Sequence, residues 1–338
     1  MRAGPRNLIT DVPGIRVGNA NALSALTGVT VILPDERAVA GCDVRGGAPG
    51  TRETDALDPT CLVDAVDAVV LSGGSVYGLD AASGVVALLG ARGRGFQIPG
   101  APVVAPVVPS AILFDLANGG DKGWGMEPPY RRLGIEACER AGAEFALGNA
   151  GAGLGARAGA LKGGLGSASA VLSSGVIVGA LAAVNAGGSA VMPGTSTLWA
   201  ALFEQAGEMG GQILPKAPVS LDWPDDAKRP KEAIPGANTT LAVVATSAKL
   251  TPVETKRVAI MAQDGFARAL RPVHTPFDGD VAFVLATGVH ALAEPRPLAL
   301  SLLGMAAADC VTRAIGRAVY AAESIGGWTS YRDRYGLK

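Results

Sequence analysis

Thr239 lies where the sequence changes from a polar loop to an apolar strand. Residues 215–235 combine prolines with charged side chains, a composition that predicts an exposed loop. From Thr239 onward the residues are small, β-branched and apolar, as in a buried strand. If the Asn238–Thr239 bond were cut, Thr239 would carry a free α-amine, which can activate its own hydroxyl as a nucleophile. The alternative is that the tripeptide Asn-Thr-Thr only begins a strand.

Lys162 and Asn185 are polar residues in otherwise apolar, glycine-rich sequence, and both could assist such a nucleophile. Burial of Lys162 would lower the pKa of its ammonium group and let it exchange protons at a site, whereas most lysines are solvated surface charges. Asn185 ends an apolar run, where its amide could donate to a developing oxyanion. The simpler alternative for Asn185 is an amide that satisfies the backbone of its own turn.

Asp278 and Asp280 stand two residues apart, directly before a predicted strand. An Asp-x-Asp pair often belongs to a calcium loop or a solvated turn. No further oxygen ligands follow at the spacing of an EF-hand, so the sequence gives no support to calcium. The remaining interpretation is a buried pair of carboxylates that orients an ammonium group.

A glycine-rich segment, 151–156, matches the loose pattern of a dinucleotide-binding loop. A second glycine-rich segment, 162–167, follows it and is predicted to be a turn where the dinucleotide fold requires a helix. The chain has four scattered cysteines without Cys-x-x-Cys spacing and only two histidines. We therefore expect no nucleotide cofactor, metal site or disulfide framework.

Charge and composition limit the classes of partner that we expect this chain to bind. The formal net charge is -1, and the acidic and basic residues do not form long blocks of one sign. Neither nucleic acid nor an anionic membrane is expected as a partner, and small neutral or zwitterionic substrates fit better. Residues 1–6 carry charges without an apolar stretch behind them, so we expect no signal peptide and a cytoplasmic location. Residues 168–188 are long enough to span a bilayer, but their glycines and serines favour buried strands.

Predicted strands and helices alternate along the chain, which indicates an α/β fold with sheets covered by helices. Thr251, Pro252 and Glu254 predict a helix N-terminus with a capping box. The predicted strands are 28–33, 68–71, 175–181, 241–245 and 281–285, and the predicted helices are 76–89, 131–141, 252–270 and 298–322. With 338 residues and no clean linker, one large layered unit is expected.

Sequence blocks in order resemble the family of self-processing aminopeptidases. This family includes the L-aminopeptidase/D-esterases, the β-aminopeptidases and the endo-type 6-aminohexanoate-oligomer (nylon-oligomer) hydrolases. The resemblance implies a four-layer α-β-β-α sandwich of N-terminal-nucleophile type and a single catalytic domain, 1–338. It also implies self-cleavage into fragments 1–238 and 239–338 and a homo-oligomer of processed subunits. The matching blocks are 9–18, 45–50, 71–79, 151–167, 238–239 and 274–280.

The resemblance also implies roles for individual residues. Thr239 matches the nucleophile and Asn238 the residue before the cut; Lys162 and Asn185 match the lysine and asparagine beside the nucleophile. Asp278 and Asp280 match the acidic pair of the nylon-oligomer hydrolases, and the Asn-Thr junction also favours that branch. Phe114 departs from the pattern, because it stands where the family usually has a tyrosine and cannot donate a hydroxyl hydrogen bond.

The implied function is hydrolysis of short peptides or of amide oligomers of ω- or β-amino acids, without a cofactor. Two alternatives remain open. A self-cleaving acyltransferase of the ornithine acetyltransferase type would use the same threonine chemistry, and a non-catalytic, precursor-like binding protein would keep the Asn238–Thr239 bond intact.

Overall fold

The computed structural model describes residues 1–228 and 238–337. Within these ranges, thirteen strands form two main sheets and a short hairpin, and helices lie on the outer faces of the two main sheets. The strands are β1 (Ile15–Ala22), β2 (Thr27–Pro34), β3 (Ala38–Val44), β4 (Thr51–Arg52), β5 (Ala65–Val66), β6 (Val69–Ser72), β7 (Ser110–Ile112), β8 (Arg157–Ala158), β9 (Leu161–Lys162), β10 (Gly164–Val171), β11 (Ile177–Asn185), β12 (Thr239–Ala248) and β13 (Val281–His290). The helices are α1 (Asp80–Ala91), α2 (Tyr130–Glu139), α3 (Pro252–Ala262), α4 (Asp264–Ala269), α5 (Arg296–Ala321) and α6 (Tyr331–Tyr335).

The two main sheets stack face to face. The five-stranded sheet has the order β1-β2-β6-β7-β4, and the six-stranded sheet has the order β10-β11-β12-β13-β3-β5. Ile32 and Leu71 of the first sheet and Leu181 and Phe283 of the second contribute to the core between them. Helices α1 and α2 cover the outer face of the first sheet, and α3, α4 and α5 cover that of the second. The predicted four-layer α-β-β-α sandwich is confirmed.

Strand β12 shows why its sequence is continuously apolar. Leu241 and Val243 face the core between the sheets, while Ala242 and Val244 face the core under the helices. A strand covered on both faces has no polar alternation. β12 pairs in parallel with β13 and antiparallel with β11. The beginnings of β12 and β13 and the end of β11 therefore meet at one edge of the sheet.

All five predicted strands coincide with observed ones, in β2, β6, β11, β12 and β13. The predicted helix 252–270 is divided at Gln263 into α3 and α4. Its capping box is present, since Glu254 N donates to Thr251 Oγ1 (3.3 Å) and Thr251 N donates to Glu254 Oε2 (2.8 Å). In the predicted loop 215–235, residues 215–228 contain no helix or strand, and 229–235 lie outside the described residues.

The prediction of a turn at 162–167 was wrong, because Gly164 begins strand β10. The glycines of β10 allow close packing instead of chain reversal. An ideal Cβ built on Gly166 would lie 2.0 Å from the carbonyl oxygen of Ala314 in α5. Only glycine lets the strand and the helix approach this closely.

Residues 168–188 include the second half of β10, a turn and β11, as predicted for buried sheet. Helix α5 is long and apolar enough to cross a bilayer, yet 61% of its most apolar stretch of 18 residues is buried inside the protein. Its buried residues pack into the core that also holds Val178 and Val184 of β11. This packing is that of a core helix.

We expect Gly166→Ala to lower the free energy of unfolding by about 1–3 kcal/mol, the usual cost of overpacking. Gly90→Ala is the matched control, because the nearest atom to its new Cβ is 3.8 Å away and it lies in α1. Alanine should be neutral or stabilising there, by up to about 1 kcal/mol. Urea unfolding of both variants, each carrying Thr239→Ala to keep one chain, tests this. Equal stability changes in the two variants would contradict the proposed contact.

Candidate active site

Three strand ends bring the predicted site residues together. Thr239 is the first residue of β12, and its register partner is Asn185, the last residue of β11. Asp278 and Asp280 precede β13, and Asp278 forms a parallel bridge with Asn238. All of these side chains are buried. The sequence therefore identified residues that the fold places at one edge of the six-stranded sheet.

The hydroxyl of Thr239 contacts the carbonyl group of the residue before it. Thr239 Oγ1 donates to Asn238 O at 2.5 Å, and the backbone N–H of Gly279 donates to the same oxygen at 2.8 Å. An ideal Cβ on Gly279 would lie 2.7 Å from Thr239 Oγ1, so a larger residue would crowd the hydroxyl. The geometry places a hydroxyl group beside a carbonyl that also accepts from a backbone amide.

Gly279 was not predicted as a site residue. The sequence carried a signal for it, because the glycine stands between the two aspartates of the acidic pair. Gly279 follows Asp278, the bridge partner of Asn238, and its N–H points toward the neighbouring chain segment, where it donates to Asn238 O. Two properties of Gly279 matter here. Its N–H donates to Asn238 O, and its lack of a side chain leaves room for the hydroxyl of Thr239.

Asp280 ties the beginning of β12 to the turn before β13. Its Oδ1 accepts from Thr240 N at 2.6 Å, and its Oδ2 accepts from His274 N at 3.1 Å. His274 Nδ1 lies 2.9 Å from the same Oδ2, and His274 adopts a φ of 56°, an uncommon conformation for a residue with a side chain. Asp280 is therefore a structural anchor for the site as well as a source of negative charge.

Asp278 has a different electrostatic environment. Its Oδ2 accepts from Thr275 N at 2.8 Å, and its carboxylate also accepts from the backbone of Gly187. Burial and the nearby charge of Asp280 raise the pKa of Asp278. The raised pKa brings the carboxyl group of Asp278 closer to the neutral range, where it could exchange protons.

Lys162, at the end of β9, is buried, as predicted for a site role. Its Nζ donates to Gly153 O at 3.0 Å and to Gly163 O at 2.6 Å. Burial lowers the pKa of Lys162 to about 7, and the charge of Asp115 opposes this change. A lysine with this pKa is available in both protonation states near neutral pH. The segment that resembled a dinucleotide loop thus provides a carbonyl for this lysine.

Asp115 is a second buried charge that the sequence did not single out. Its Oδ2 accepts from Thr27 Oγ1 at 2.6 Å, and its Oδ1 accepts from Gly74 N at 2.8 Å. Burial raises the pKa of Asp115 to about 6. The only sequence signal was an acid directly after Phe114, at the end of an apolar run.

Asn185 connects β11 to two neighbouring segments. Its Oδ1 accepts from Arg157 N at 2.9 Å, and its Nδ2 donates to Phe114 O at 3.0 Å. These contacts join backbone groups of two segments that are distant in the chain, whereas the simpler interpretation expected contacts within the turn of Asn185 itself. Phe114 takes part through its backbone carbonyl, and its side chain has no hydroxyl to donate. The oxyanion role of Asn185 stays a prediction.

Lys228 is a further site residue that the sequence missed. Its Nζ donates to Asn238 Oδ1 at 2.5 Å, and its backbone N donates to Gly187 O at 2.8 Å. Burial, assisted by the positive charge of Arg157, lowers the pKa of Lys228 to about 7. The proline- and charge-rich composition around Lys228 predicted exposure, and gave no sign of a contact with Asn238.

Within residues 1–228 and 238–337, no group of three or more His, Cys, Asp or Glu side chains converges in a way that could hold a metal ion. The four cysteines are free thiols.

The sequence profile of Peptidase family S58 matches residues 7–332. The chain belongs to this family. It is 44% identical to an uncharacterised aminopeptidase of Mycobacterium tuberculosis over 97% of this chain and 98% of that protein. It is 29% identical to a 6-aminohexanoate-oligomer endohydrolase of Kocuria sp. over 84% of this chain and 76% of that protein.

A solved structure shares the fold. The L-aminopeptidase D-Ala-esterase/amidase of Ochrobactrum anthropi, described as a variant of the Ntn hydrolase fold, superposes with a TM-score of 0.71. The alignment covers 99% of this chain and 95% of that one. Because the sequences are only 22% identical, the similarity is evidence for a shared fold alone. The predicted family and N-terminal-nucleophile-like fold are confirmed. As a member of a peptidase family, the chain is a hydrolase of peptide or amide bonds.

The low pKa of Lys162 predicts a specific pH dependence of stability. The pKa in the folded protein is about 7, and the pKa in the unfolded chain is near 10.5, the ordinary value of a lysine. Between these values the unfolded chain binds more protons, so the cost of burying the ammonium group is full below pH 7 and disappears as the pH rises to 10.5. The parent should therefore gain stability relative to Lys162→Met from pH 7 to 10, by at most about 1.4 kcal/mol per pH unit.

Urea unfolding at several pH values, with both proteins in the Thr239→Ala background, measures this difference. Lys216→Met is the matched control at an exposed lysine. A difference between parent and Lys162→Met that does not change with pH would show that Lys162 is not a desolvated ammonium group.

Proposed function

We propose that this protein is a self-cleaving amide hydrolase with Thr239 as an N-terminal nucleophile. The observation that carries the proposal is the position of Thr239 Oγ1, 2.5 Å from the carbonyl oxygen of Asn238, in a site where Gly279 N–H donates to the same oxygen. This arrangement supports attack by the hydroxyl on that carbonyl, with the amide as a donor to the carbonyl oxygen.

Maturation proceeds in two steps. Thr239 Oγ1 attacks the carbonyl carbon of Asn238 and loses its proton, while the Gly279 N–H stabilises the charge that develops on the carbonyl oxygen. The bond between the carbonyl carbon and Thr239 N breaks, the nitrogen takes a proton, and an ester to Thr239 Oγ1 remains. Water hydrolyses this ester, which releases the carboxylate of Asn238 and the hydroxyl of Thr239. The products are fragments 1–238 and 239–338.

The two fragments would stay together because of the sheet order. Fragment 239–338 supplies β12 and β13, which lie between β11 and β3 of fragment 1–238. Three ladders of the six-stranded sheet involve these two strands, and two of them join the fragments. Cutting at the beginning of β12 leaves these ladders intact.

Turnover then uses the new amine. A free α-amine has a reference pKa near 8, so it can take the proton of its own hydroxyl and later give it to the leaving amine. The acyl part of the substrate rests on Thr239 Oγ1 until water releases it. Lys162, with a pKa of about 7, and the Asp278/Asp280 pair set the charge around the amine. Asn185 is proposed to donate to the oxyanion.

We infer that the substrates are short peptides or amide oligomers of ω- or β-amino acids that carry a free amino end. Two buried carboxylates at the site favour an ammonium group on the substrate. The names of the two curated relatives, an aminopeptidase and a 6-aminohexanoate-oligomer endohydrolase, support this class. The mature protein is proposed to act in the cytoplasm as a homo-oligomer.

Substitutions of Thr239 test whether the reaction needs its hydroxyl group or only the shape of its side chain. Thr239→Ala and Thr239→Val should leave a single full-length chain, because neither has a hydroxyl, whereas Thr239→Ser should still be cut. Intact mass of the purified proteins measures the cut and its position. Cleavage of the alanine variant at the same bond would mean that another protease makes it. An uncut parent would favour the binding-protein alternative, and faster acyl transfer to amino acids than to water would favour the transferase.

Asn185→Ala tests the oxyanion role in turnover. Loss of one oxyanion donor typically costs about 100-fold or more in kcat, with a smaller effect on KM. The assay is amide hydrolysis by variant protein that mass spectrometry shows to be cut and circular dichroism shows to be folded. Hydrolysis at the parent rate would establish that Asn185 only joins backbone segments and that backbone amides hold the oxyanion.

A further inference from the structure

The side chain of Asn238 lies close to two groups of opposite charge, the ammonium group of Lys228 and the carboxylate of Asp278. Lys228 Nζ donates to Asn238 Oδ1 at 2.5 Å. On the other side, an ideal Cβ on Gly187 would lie 3.0 Å from Asn238 Nδ2 and 3.2 Å from Asp278 Oδ1, so these two atoms border the same small space. An ammonium group therefore faces the amide oxygen, and a carboxylate lies near the amide nitrogen. Asn238 is only 2% exposed.

Residues outside the segment next to the cut hold Lys228 in place. Its backbone N donates to Gly187 O, and its neighbour Ala227 is buried. Asp226 O accepts from Ala160 N at 2.7 Å, and Asp226 Oδ2 accepts from Ser189 Oγ at 2.7 Å. All of these partners belong to fragment 1–238 and lie before the cut. Lys228 therefore keeps its anchor when the carboxyl end of that fragment is released.

The same oxygen must attack two different carbonyl groups. In maturation Thr239 Oγ1 attacks the carbonyl of Asn238, and in turnover it attacks the carbonyl of the substrate. The residue that carries the attacked carbonyl must occupy the same position in both cases, because Thr239 and Gly279 N–H are fixed by the sheet. Asn238 thus marks the position of the acyl residue of the substrate.

We propose that the pocket of the Asn238 side chain is the acyl-side subsite, and that Lys228 determines specificity there by donating to a polar side chain on the acyl residue. The preferred substrates are amides whose acyl residue carries an amide or carboxylate oxygen at the position of Asn238 Oδ1. In the precursor, the same contact makes Lys228 a positioning residue for the cut. This inference rests on the proposed function, because it requires attack by Thr239.

The surrounding charges agree with this role. The charged groups that act on Lys228 are Arg157, which disfavours its ammonium form, and Asp278, which favours it. Burial together with Arg157 brings the pKa of Lys228 to about 7. Lys228 can therefore donate as an ammonium below neutral pH, and a bound side-chain oxygen would stabilise that form. The preference for polar acyl residues should be strongest at pH 6 and weaker at pH 8.

A double-mutant cycle on the rate of self-cleavage is the decisive experiment. We expect Lys228→Met to slow cleavage about tenfold or more in the chain with Asn238, the scale of one charge-assisted hydrogen bond. In the Asn238→Leu chain, which has no side-chain oxygen, the same substitution should slow it much less. Lys216→Met, at an exposed lysine of the same loop, is the matched control. The cut is followed by intact mass after synthesis in a cell-free system.

The outcomes separate the inference from the function on which it rests. An uncut parent overturns both. A parent that cuts itself, with Lys228→Met equally fast or equally slowed in both backgrounds, overturns the role of Lys228 alone. If Lys228→Met does not fold, as judged by circular dichroism, Lys228→Gln replaces it, because glutamine is polar but uncharged.

The mature enzyme gives an independent measurement of the subsite. The probes are the p-nitroanilides of L-asparagine and L-leucine, whose acyl residues differ in the side-chain oxygen. The ratio of their kcat/KM values should favour asparagine in the parent at pH 6, and Lys228→Met should lower this ratio at least about fivefold. Lys228→Arg, which keeps the charge, should retain more of the preference. A ratio that Lys228→Met leaves unchanged would contradict the assignment.

Discussion

The hydrogen bond from Gly279 N–H to Asn238 O is the contact on which the site depends. It continues the parallel pairing of β12 and β13, because the bridge between Asn238 and Asp278 lies three residues before their first register pair, Leu241 and Val281. A sheet ladder is a rigid frame, so it fixes the carbonyl that precedes Thr239 and the hydroxyl beside it together. Both strands lie in the middle of the sheet and are covered on both faces, which leaves little freedom for their ends. The candidate site therefore lies at the ends of two central strands that are packed on both faces.

Asp280 and Lys162 carry polar groups that are costly to bury, and each of them is tightly hydrogen-bonded. Asp280 is held by Thr240 and His274, and Lys162 by two carbonyl groups. Each such group stabilises the fold only while its partners are present, because an unpaired buried charge is strongly unfavourable. Burial also moves the pKa of Lys162 down and that of Asp278 up, toward the neutral range where proton transfer is useful. The burial that packs Lys162 and Asp278 into the protein is therefore also the cause of their shifted pKa values.

The sequence predicted the parts of the site that lie at the ends of apolar runs. Thr239, Asn185 and the acidic pair each border a buried strand, and their polar character contrasts with the run beside them. Lys162 was visible for a similar reason, as a lone charge among glycines. Lys228 was not, because it stands in a charged loop where composition predicts exposure and only the folded path of the chain brings it to Asn238. Local sequence carries no information about such a contact.

The same distinction applies to the fold. The strand β2, which is rich in β-branched residues, was predicted within one residue of its observed bounds, whereas β10 was mistaken for a turn. For β12 and β13 only about half of each strand was predicted. The glycines of β10 are required by the approach of α5, a contact between residues about 150 positions apart. The layered architecture followed from the alternation of elements. The division of 252–270 into α3 and α4 at Gln263 had no clear signal in the periodicity.

The central position of β12 has a consequence for the life of a cut molecule. Before the cut, unfolding and refolding are events within one chain. After it, the unfolded state consists of two separate polypeptides, and the middle of the sheet can form again only when they meet. Refolding then depends on protein concentration, and a dilute solution of unfolded fragments is disfavoured from returning to the native sheet. Maturation would therefore make the sheet, once opened, much harder to rebuild, so that the persistence of the active form depends on how slowly its central strands separate.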